Sequence, residues 1–235
     1  MRDLRIRDLI IGTMKSAKSA NLILKGFQLD LQGKKVLTFA PEMNTRDGAF
    51  ISSRALPHLK RPAIVVPTDN NGSMISNLIW ARQPDVILID ELQFFTVEQV
   101  ERIAEISITY DVDIYAYGLL MSYTGRMFEP IKRALECAFN MKTLDMSCDH
   151  CANDATHHLY YVDDELITEG SGVAVEDEEF EKKSKRYESV CFSCYHKALD
   201  VAEMDKVEKD NEILKSIDDA ISTAVSFRDK YDAPF

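Results

Sequence analysis

Gly12-Thr-Met-Lys-Ser-Ala17-Lys18-Ser19 follows the apolar run Leu9–Ile11 and opens a stretch with helical patterning. A glycine, four residues, then Lys-Ser between a strand and a helix is the outline of a phosphate-binding loop. In such a loop the backbone N–H groups of Gly12, Thr13, Met14, Lys15, Ser16 and Ala17, with the helix N-terminus behind them, form a nest for an anion. Lys18 would reach the terminal phosphates, and the Ser19 hydroxyl would ligate Mg²⁺. The usual pattern has a second glycine where this chain has Ala17, a residue that resists left-handed backbone angles. A serine-rich strand-to-helix turn that happens to carry a lysine is the competing reading.

A second cluster of chemistry lies at Val86-Ile-Leu-Ile-Asp90-Glu91. An unbroken apolar strand ending in Asp delivers a carboxylate to the carboxyl edge of a sheet, where α/β proteins bind ligands. Asp90 there suits Mg²⁺, directly or through water, and Glu91 suits the removal of a proton from an attacking hydroxyl. The pair is a weak signal alone, but behind a phosphate loop it strengthens the nucleotide reading.

Four of the five cysteines form two C-x-x-C pairs, Cys148/Cys151 and Cys191/Cys194. Four thiolates in that arrangement match a closed, structural Zn²⁺ site; two separate redox pairs are the alternative. Cys137 falls in a helical pattern and reads as a small core residue. His150, His157, His158 and His196 lie near the cysteines, but four thiolates already complete a zinc shell.

The elements that must position these groups alternate between short apolar runs and helical patterns. Candidate strands are Leu4–Ile11, Lys35–Ala40, Ala63–Val66, Asp85–Asp90 and Asp113–Leu119, with helices at Ser19–Leu31, Met74–Arg82, Val97–Tyr110 and Glu129–Phe139. That alternation predicts an α/β fold with a parallel sheet flanked by helices. Met141 to His196 lacks helical periodicity and contains the charge-dense stretch Glu176–Arg186, expected to be a loop. From about Lys197 the pattern turns helical, with Ile213, Leu214, Ile217, Ile221, Ala224 and Val225 on one face. That stripe is expected to pack on the body or on a neighbouring subunit.

At 235 residues and 46% hydrophobic, the chain has material for a substantial core. A net charge of −11 argues against a general nucleic-acid binder, which needs basic surface. No apolar run is long enough for a membrane span, and the charged N-terminus is unlike a signal peptide. A cytoplasmic location, the host cytoplasm if the source is viral, is the expectation.

The order of pieces resembles a family. A phosphate loop is followed by Ile89-Asp90-Glu91-Leu92-Gln93-Phe94-Phe95, then Tyr117-Gly-Leu119, Tyr123, Gly125 and Phe128-Glu129, then the two C-x-x-C pairs, the second preceded by Tyr187. This is similar to the zinc-containing P-loop (type II) thymidine kinases of cells, poxviruses and large bacteriophages, with the look of a divergent bacteriophage-type member. The resemblance covers about residues 5 to 196. It implies an ATP-binding α/β domain over 1–145, a small zinc-binding, lasso-associated domain over 146–196 and a helical acidic extension over 197–235. It implies ATP, Mg²⁺ and structural Zn²⁺ as cofactors, and phosphorylation of the 5′-hydroxyl of thymidine or a related deoxypyrimidine nucleoside. Self-association as a homotetramer or dimer is implied too. Carried over by position, Gly12 to Ser19 with Asn44, Thr45, Arg46, Asp90 and Gln93 serve ATP and Mg²⁺, and Glu91 is the general base. Met14, Phe94, Leu119, Tyr123, Phe128, His158 and Tyr187 surround the nucleoside, with Leu119 to Phe128 as the lasso over it.

The departures from the family pattern cluster around the nucleoside rather than the phosphates. Besides Ala17, Asn44 replaces an aspartate, Asp47 an aromatic and Leu92 a glycine or alanine. Leu120-Met121-Ser122 replace polar lasso residues, and the stretch after Val175 is longer. His158 stands where a threonine or similar small residue lies near the base's 5-position. Since Lys18, Ser19, Asp90, Glu91 and Gln93 are intact, altered substrate choice is expected, such as deoxyuridine or a 5-modified deoxyuridine. The alternative is a catalytically impaired relative that binds nucleotide or serves in assembly.

Overall fold

Arg7–Ile11 forms strand β1, and every residue after Arg7 in it is buried. That is what an apolar run covered on both faces of a sheet requires. A computed structural model describes residues 5–43, 48–53, 56–68, 71–170, 172 and 184–231, with side chains as far as 222. After β1 come helix α1 (Lys18–Leu31), β2 (Val36–Pro41), the short strands β3 (Phe50–Ser52) and β4 (Lys60–Pro62), and β5 (Ile64–Val66). Next are α2 (Ser73–Arg82), β6 (Val86–Ile89), a 3-10 turn at Leu92–Phe94, α3 (Val97–Thr109), β7 (Asp113–Gly118), α4 (Glu129–Glu136) and β8 (Asn140–Thr143). The smaller strands β9 (His157–Val162), β10 (Glu165–Leu166) and β11 (Lys185–Val190) precede a long helix, α5 (Phe192–Tyr231).

Six strands build one sheet in the order β5-β2-β6-β7-β1-β8, and every pairing in it is parallel. Alternate residues feed opposite faces. Ile87, Ile89, Leu9 and Ile11 meet Ile75, Ile79, Val100, Ile103 and Ile131 from α2, α3 and α4. Val86, Leu88 and Ile10 meet Leu22, Ile23 and Leu29 of α1 and Ile51 of β3 on the other side. All four residues of β6 are at most 1% exposed, each burial stabilising by roughly 1.5–3 kcal/mol over exposure. Helix α3 starts where Thr96 and Gln99 cap each other: the Gln99 N–H donates to Thr96 Oγ1 at 3.2 Å, and Thr96 N–H to Gln99 Oε1 at 3.0 Å.

The five expected strands and four expected helices of the α/β region are all present, most with shifted ends. Leu4 of the first expected strand lies outside the described residues. Three features escaped the hydrophobic pattern. Strand β8 is exposed along its length, so Asn140-Met-Lys-Thr143 carries no apolar signal. The β3–β4 pair is only three residues on each side. Residues 157–190 hold an antiparallel sheet, β10-β9-β11, where only an absence of helix was expected; Glu176–Lys183 of the expected loop lie outside the described residues.

The chain divides into two compact units, residues 1–192 and 193–235. Helix α5 begins at Phe192, ahead of the expected start near Lys197, and Cys194 lies in its first turn. Along it Ile213, Leu214, Ile217 and Ile221 are exposed, while the side chains of Ala224 and Val225 lie outside the described residues. Among the described residues no helix is long and apolar enough to cross a membrane.

Candidate functional site

The carboxyl ends of β1 and β6 lie on either side of β7, so their two loops open on the same edge of the sheet. From β1 the backbone turns sharply: Lys15 has φ 67° and Ala17 has φ 59°, ψ 28°. Ala17 therefore adopts the left-handed conformation that the missing glycine would have taken, at a cost of roughly 1–2 kcal/mol for a residue with a Cβ. Gly12 is required for a different reason. A Cβ there would lie 2.3 Å from Ser16 Oγ, so the side chain of Ser16 folds over the place where only hydrogen fits.

Three buried oxygens around this turn have no hydrogen-bond partner: Thr13 Oγ1, Ser16 Oγ and Asp90 Oδ1. Orphaned buried acceptors and hydroxyls are costly, so each calls for a partner such as a polar ligand. The Lys18 ammonium is buried and donates to the carbonyls of Gly12 and Thr13 at 3.1 and 2.8 Å. From the first turn of α1, the Ser19 hydroxyl donates to Asp90 Oδ2 at 3.5 Å.

Asp90 and Glu91 are neighbours with different environments. Asp90 is 1% exposed, and burial pushes its carboxyl up to about 7; the Glu91 charge adds to the rise, while Lys18 and hydrogen bonds from the Glu91 backbone and Ser19 oppose it. Glu91 is half-buried and sits at φ 50°, another left-handed residue. That kink turns the chain from β6 into the 3-10 turn. The Gln93 amide donates to Glu91 Oε2 at 2.5 Å, and its own oxygen accepts the Leu119 N–H at 3.0 Å. One buried amide thus ties the acidic pair to the end of β7.

The small sheet meets the phosphate loop directly. The Met14 N–H donates to His158 Nε2 at 2.8 Å, and Ser189 Oγ donates to the Met14 carbonyl at 3.0 Å. The His158 ring is 4% exposed, and burial, aided by the nearby Lys18 charge, holds it well below the usual histidine range, at about 4. On the same face of β9, Tyr160 stacks on Tyr187 at 4.5 Å between ring centroids and leans against Tyr123 at 5.1 Å. Tyr123 lies in the turn after β7, closed by Met121 opposite Met127 and by Ser122 N–H donating to the Arg126 carbonyl at 2.9 Å. Its hydroxyl donates to the Glu169 carbonyl at 3.4 Å.

The expected site residues thus fall into connected groups. Gly12 to Ser19, Asp90, Glu91 and Gln93 share one sheet edge, while Tyr123 and Tyr187 pack on Tyr160 and Met14 bonds to His158 on the same strand. Leu119 is buried beside the Gln93 amide, Phe94 is half-buried on the 3-10 turn, and Phe128 packs on the main core. Leu92, a departure from the family pattern, is fully buried in that core. Asn44, Thr45 and Arg46 lie outside the described residues. Sequence reasoning missed Tyr160 and Ser189. Their signal was the alternation of β9, which puts His158, Tyr160 and Val162 on one face, with Ser189 and Tyr187 opposite His158 and Tyr160 on β11.

The sulfurs of Cys148, Cys151, Cys191 and Cys194 all lie within 4.8 Å of one another. Cys151 and Cys191 are 3.7 Å apart, close to the edge of about 3.8 Å of a tetrahedron with 2.3 Å Zn–S bonds. The His150 N–H donates to Cys148 Sγ at 3.3 Å, a contact that favours thiolate. Four sulfurs gathered this closely could together hold one metal ion.

A parallel sheet with a phosphate-type loop after β1 and an acidic pair after β6 defines the P-loop class of α/β proteins. Within that class the chain belongs to the thymidine kinase family, whose model matches residues 6–195. It is 25% identical over 195 residues to the thymidine kinase of Encephalitozoon cuniculi, covering 83% of this chain and 88% of that one. It is also 30% identical over 172 residues to the thymidine kinase of Enterobacteria phage T4, covering 71% and 86%. A third relative, the thymidine kinase of Enterococcus faecalis, is 30% identical over 166 residues, covering 70% and 84%.

Proposed function

We propose that the protein transfers the γ-phosphoryl group of ATP to the 5′-hydroxyl of thymidine or a closely related deoxypyrimidine nucleoside. The observation that carries this reading is the unlike surroundings of Asp90 and Glu91. One carboxylate is buried beside Ser19 and Lys18, and the other is half-exposed and held by Gln93. Adjacent carboxylates in unlike surroundings take different chemical roles.

The residues fit the implied Mg²⁺. Asp90 Oδ1 has no partner, the Ser19 hydroxyl lies beside the other carboxylate oxygen, and an all-oxygen donor set suits a hard cation. When bound with ATP, Mg²⁺ would neutralise charge on the phosphates. The loop from Gly12 to Ala17 holds those phosphates, and Lys18 stabilises charge on the γ-phosphoryl group as it moves. Asn44, Thr45 and Arg46 belong to the same binding role. Glu91 accepts the proton of the 5′-hydroxyl as its oxygen bonds to the γ-phosphorus; the bond to the bridging oxygen breaks, and ADP leaves. Met14, Phe94, Leu119, Tyr123, Phe128, His158 and Tyr187 enclose the nucleoside and exclude water.

The four cysteines hold a structural Zn²⁺ in this reading, residues 1–145 carry ATP, 146–196 close over the nucleoside, and 197–235 form the extension. Assembly as a homotetramer or dimer and a cytoplasmic location belong to the same reading. A catalytically impaired binding or assembly protein is the less favoured alternative, because the relatives are thymidine kinases and Lys18, Ser19, Asp90, Glu91 and Gln93 are retained in the sequence. Phosphate transfer from labelled ATP to thymidine, deoxyuridine and 5-hydroxymethyldeoxyuridine tests the proposal. Glu91→Gln should lower kcat by roughly 10²–10⁴-fold while leaving ATP affinity unchanged. Nucleotide binding without any transfer by the unaltered protein would refute it.

A further inference from the structure

Met14 is held by both of its backbone polar groups, and both holds come from one cross-strand pair. His158 on β9 lies directly opposite Ser189 on β11. His158 Nε2 accepts the Met14 N–H at 2.8 Å, and the Ser189 hydroxyl donates to the Met14 carbonyl at 3.0 Å. A neutral imidazole that accepts through Nε2 carries its proton on Nδ1 and has one donor left. The backbone carbonyl of Met121, in the turn after β7, hydrogen-bonds the same ring. The ring therefore joins three segments distant in sequence: the phosphate loop, the turn that carries Tyr123, and β9.

The next side chain on that face of β9 is Tyr160, stacked on Tyr187 and leaning on Tyr123. The tyrosine contacts and the hold on Met14 thus meet on one strand, β9. With Nε2 taken by the Met14 N–H, the influence of His158 on substrate passes through the position of Met14.

We propose that His158 and Ser189 are positioning residues that couple the phosphate loop to the tyrosine cluster around Tyr160, so that nucleotide on the loop and nucleoside at the tyrosines each tighten the other. The inference rests on the kinase reading and adds a residue-level link between its two substrates. A residue of similar size without an acceptor, such as phenylalanine, would keep the packing and leave the Met14 N–H without its partner.

Calorimetric titration of the full chain with thymidine and with a non-hydrolysable ATP analogue plus Mg²⁺, each alone and in the presence of the other, tests this. In the unaltered protein each ligand should tighten the other by about fivefold or more. His158→Phe should abolish that mutual tightening, while His158→Gln, whose amide oxygen can accept the Met14 N–H, should restore most of it. Ser189→Ala should reduce it, and the double variant should lose no more than His158→Phe, since both residues act on Met14. Undiminished tightening in His158→Phe overturns the proposal. So does equal loss in His158→Gln and His158→Phe when both retain the zinc content and melting behaviour of the parent. If His158→Phe does not fold, undiminished tightening in Ser189→Ala overturns it. Failure of the unaltered protein to bind thymidine or the analogue would instead bring down the kinase reading beneath it.

Discussion

Gln93 and Glu91 are locked together, with the amide nitrogen 2.5 Å from a carboxylate oxygen and the amide oxygen on the Leu119 N–H at 3.0 Å. The Glu91 carboxylate is therefore aimed by a buried side chain that is itself fixed by the backbone leaving β7. In the proposed mechanism, a base aimed this way needs no rearrangement before it acts.

Gln93→Ala should free Glu91 and leave the buried Leu119 N–H without its acceptor. A stability loss of roughly 1–3 kcal/mol is expected from the orphaned donor. The kcat for nucleoside phosphorylation should fall while the KM for ATP stays put. Chemical denaturation and steady-state kinetics measure the two effects, and an unchanged kcat would show that Glu91 is not positioned by Gln93.

Ala17 occupies a left-handed backbone conformation at φ 59°. Ala17→Gly relieves roughly 1–2 kcal/mol of strain but makes the unfolded chain more flexible, at a cost of about 0.4–1 kcal/mol. The net gain should be about 0.5–1 kcal/mol, raising Tm by about 1–4 °C for a chain of this size. Ala17→Val should lower Tm, because a β-branched residue tolerates these angles poorly. A lower Tm for the glycine variant would contradict the loop geometry.

The His158 ring titrates at about 4 in the fold against a normal 6.5, because burial and Lys18 disfavour its charge. A depressed histidine binds fewer protons folded than unfolded. Its contribution is thus fully present above pH 6.5 and is lost as pH falls through 4. The shift corresponds to as much as roughly 3 kcal/mol. Urea unfolding at pH 7 and at pH 4.5 should show a smaller acid loss in His158→Gln than in the parent; equal losses would mean that the ring is not held neutral.

Metal analysis should find about one zinc per chain, and chelation should lower Tm. Cys148→Ser and Cys191→Ser should mimic chelation, since both sulfurs are buried in the four-cysteine set. The cysteine pairs flank β9 and β11, so metal loss should also loosen the grip on Met14 and reduce activity along with stability. A zinc-free protein with undiminished Tm would rule out a structural role for the metal.

Much of this molecule is written locally in the chain. The run into Gly12, the lysine and serine at the start of α1, the unbroken Val86–Ile89 strand ending in Asp90, and the spacing of the two cysteine pairs are contiguous patterns. Strand propensity, loop backbone and helix start act over a few residues, so these elements and their chemistry could be read before any fold was known. Tertiary structure decided what contiguous patterns cannot encode. That β7 runs between β1 and β6, that exposed Asn140–Thr143 adds an edge strand, and that Gln93 reaches Leu119 all depend on long-range pairing. His158 and Ser189 closing on Met14 across 144 and 175 residues depend on it too. The left-handed Ala17 belongs with them: its strain is repaid only by the packed loop around it, which no local preference for alanine could reveal.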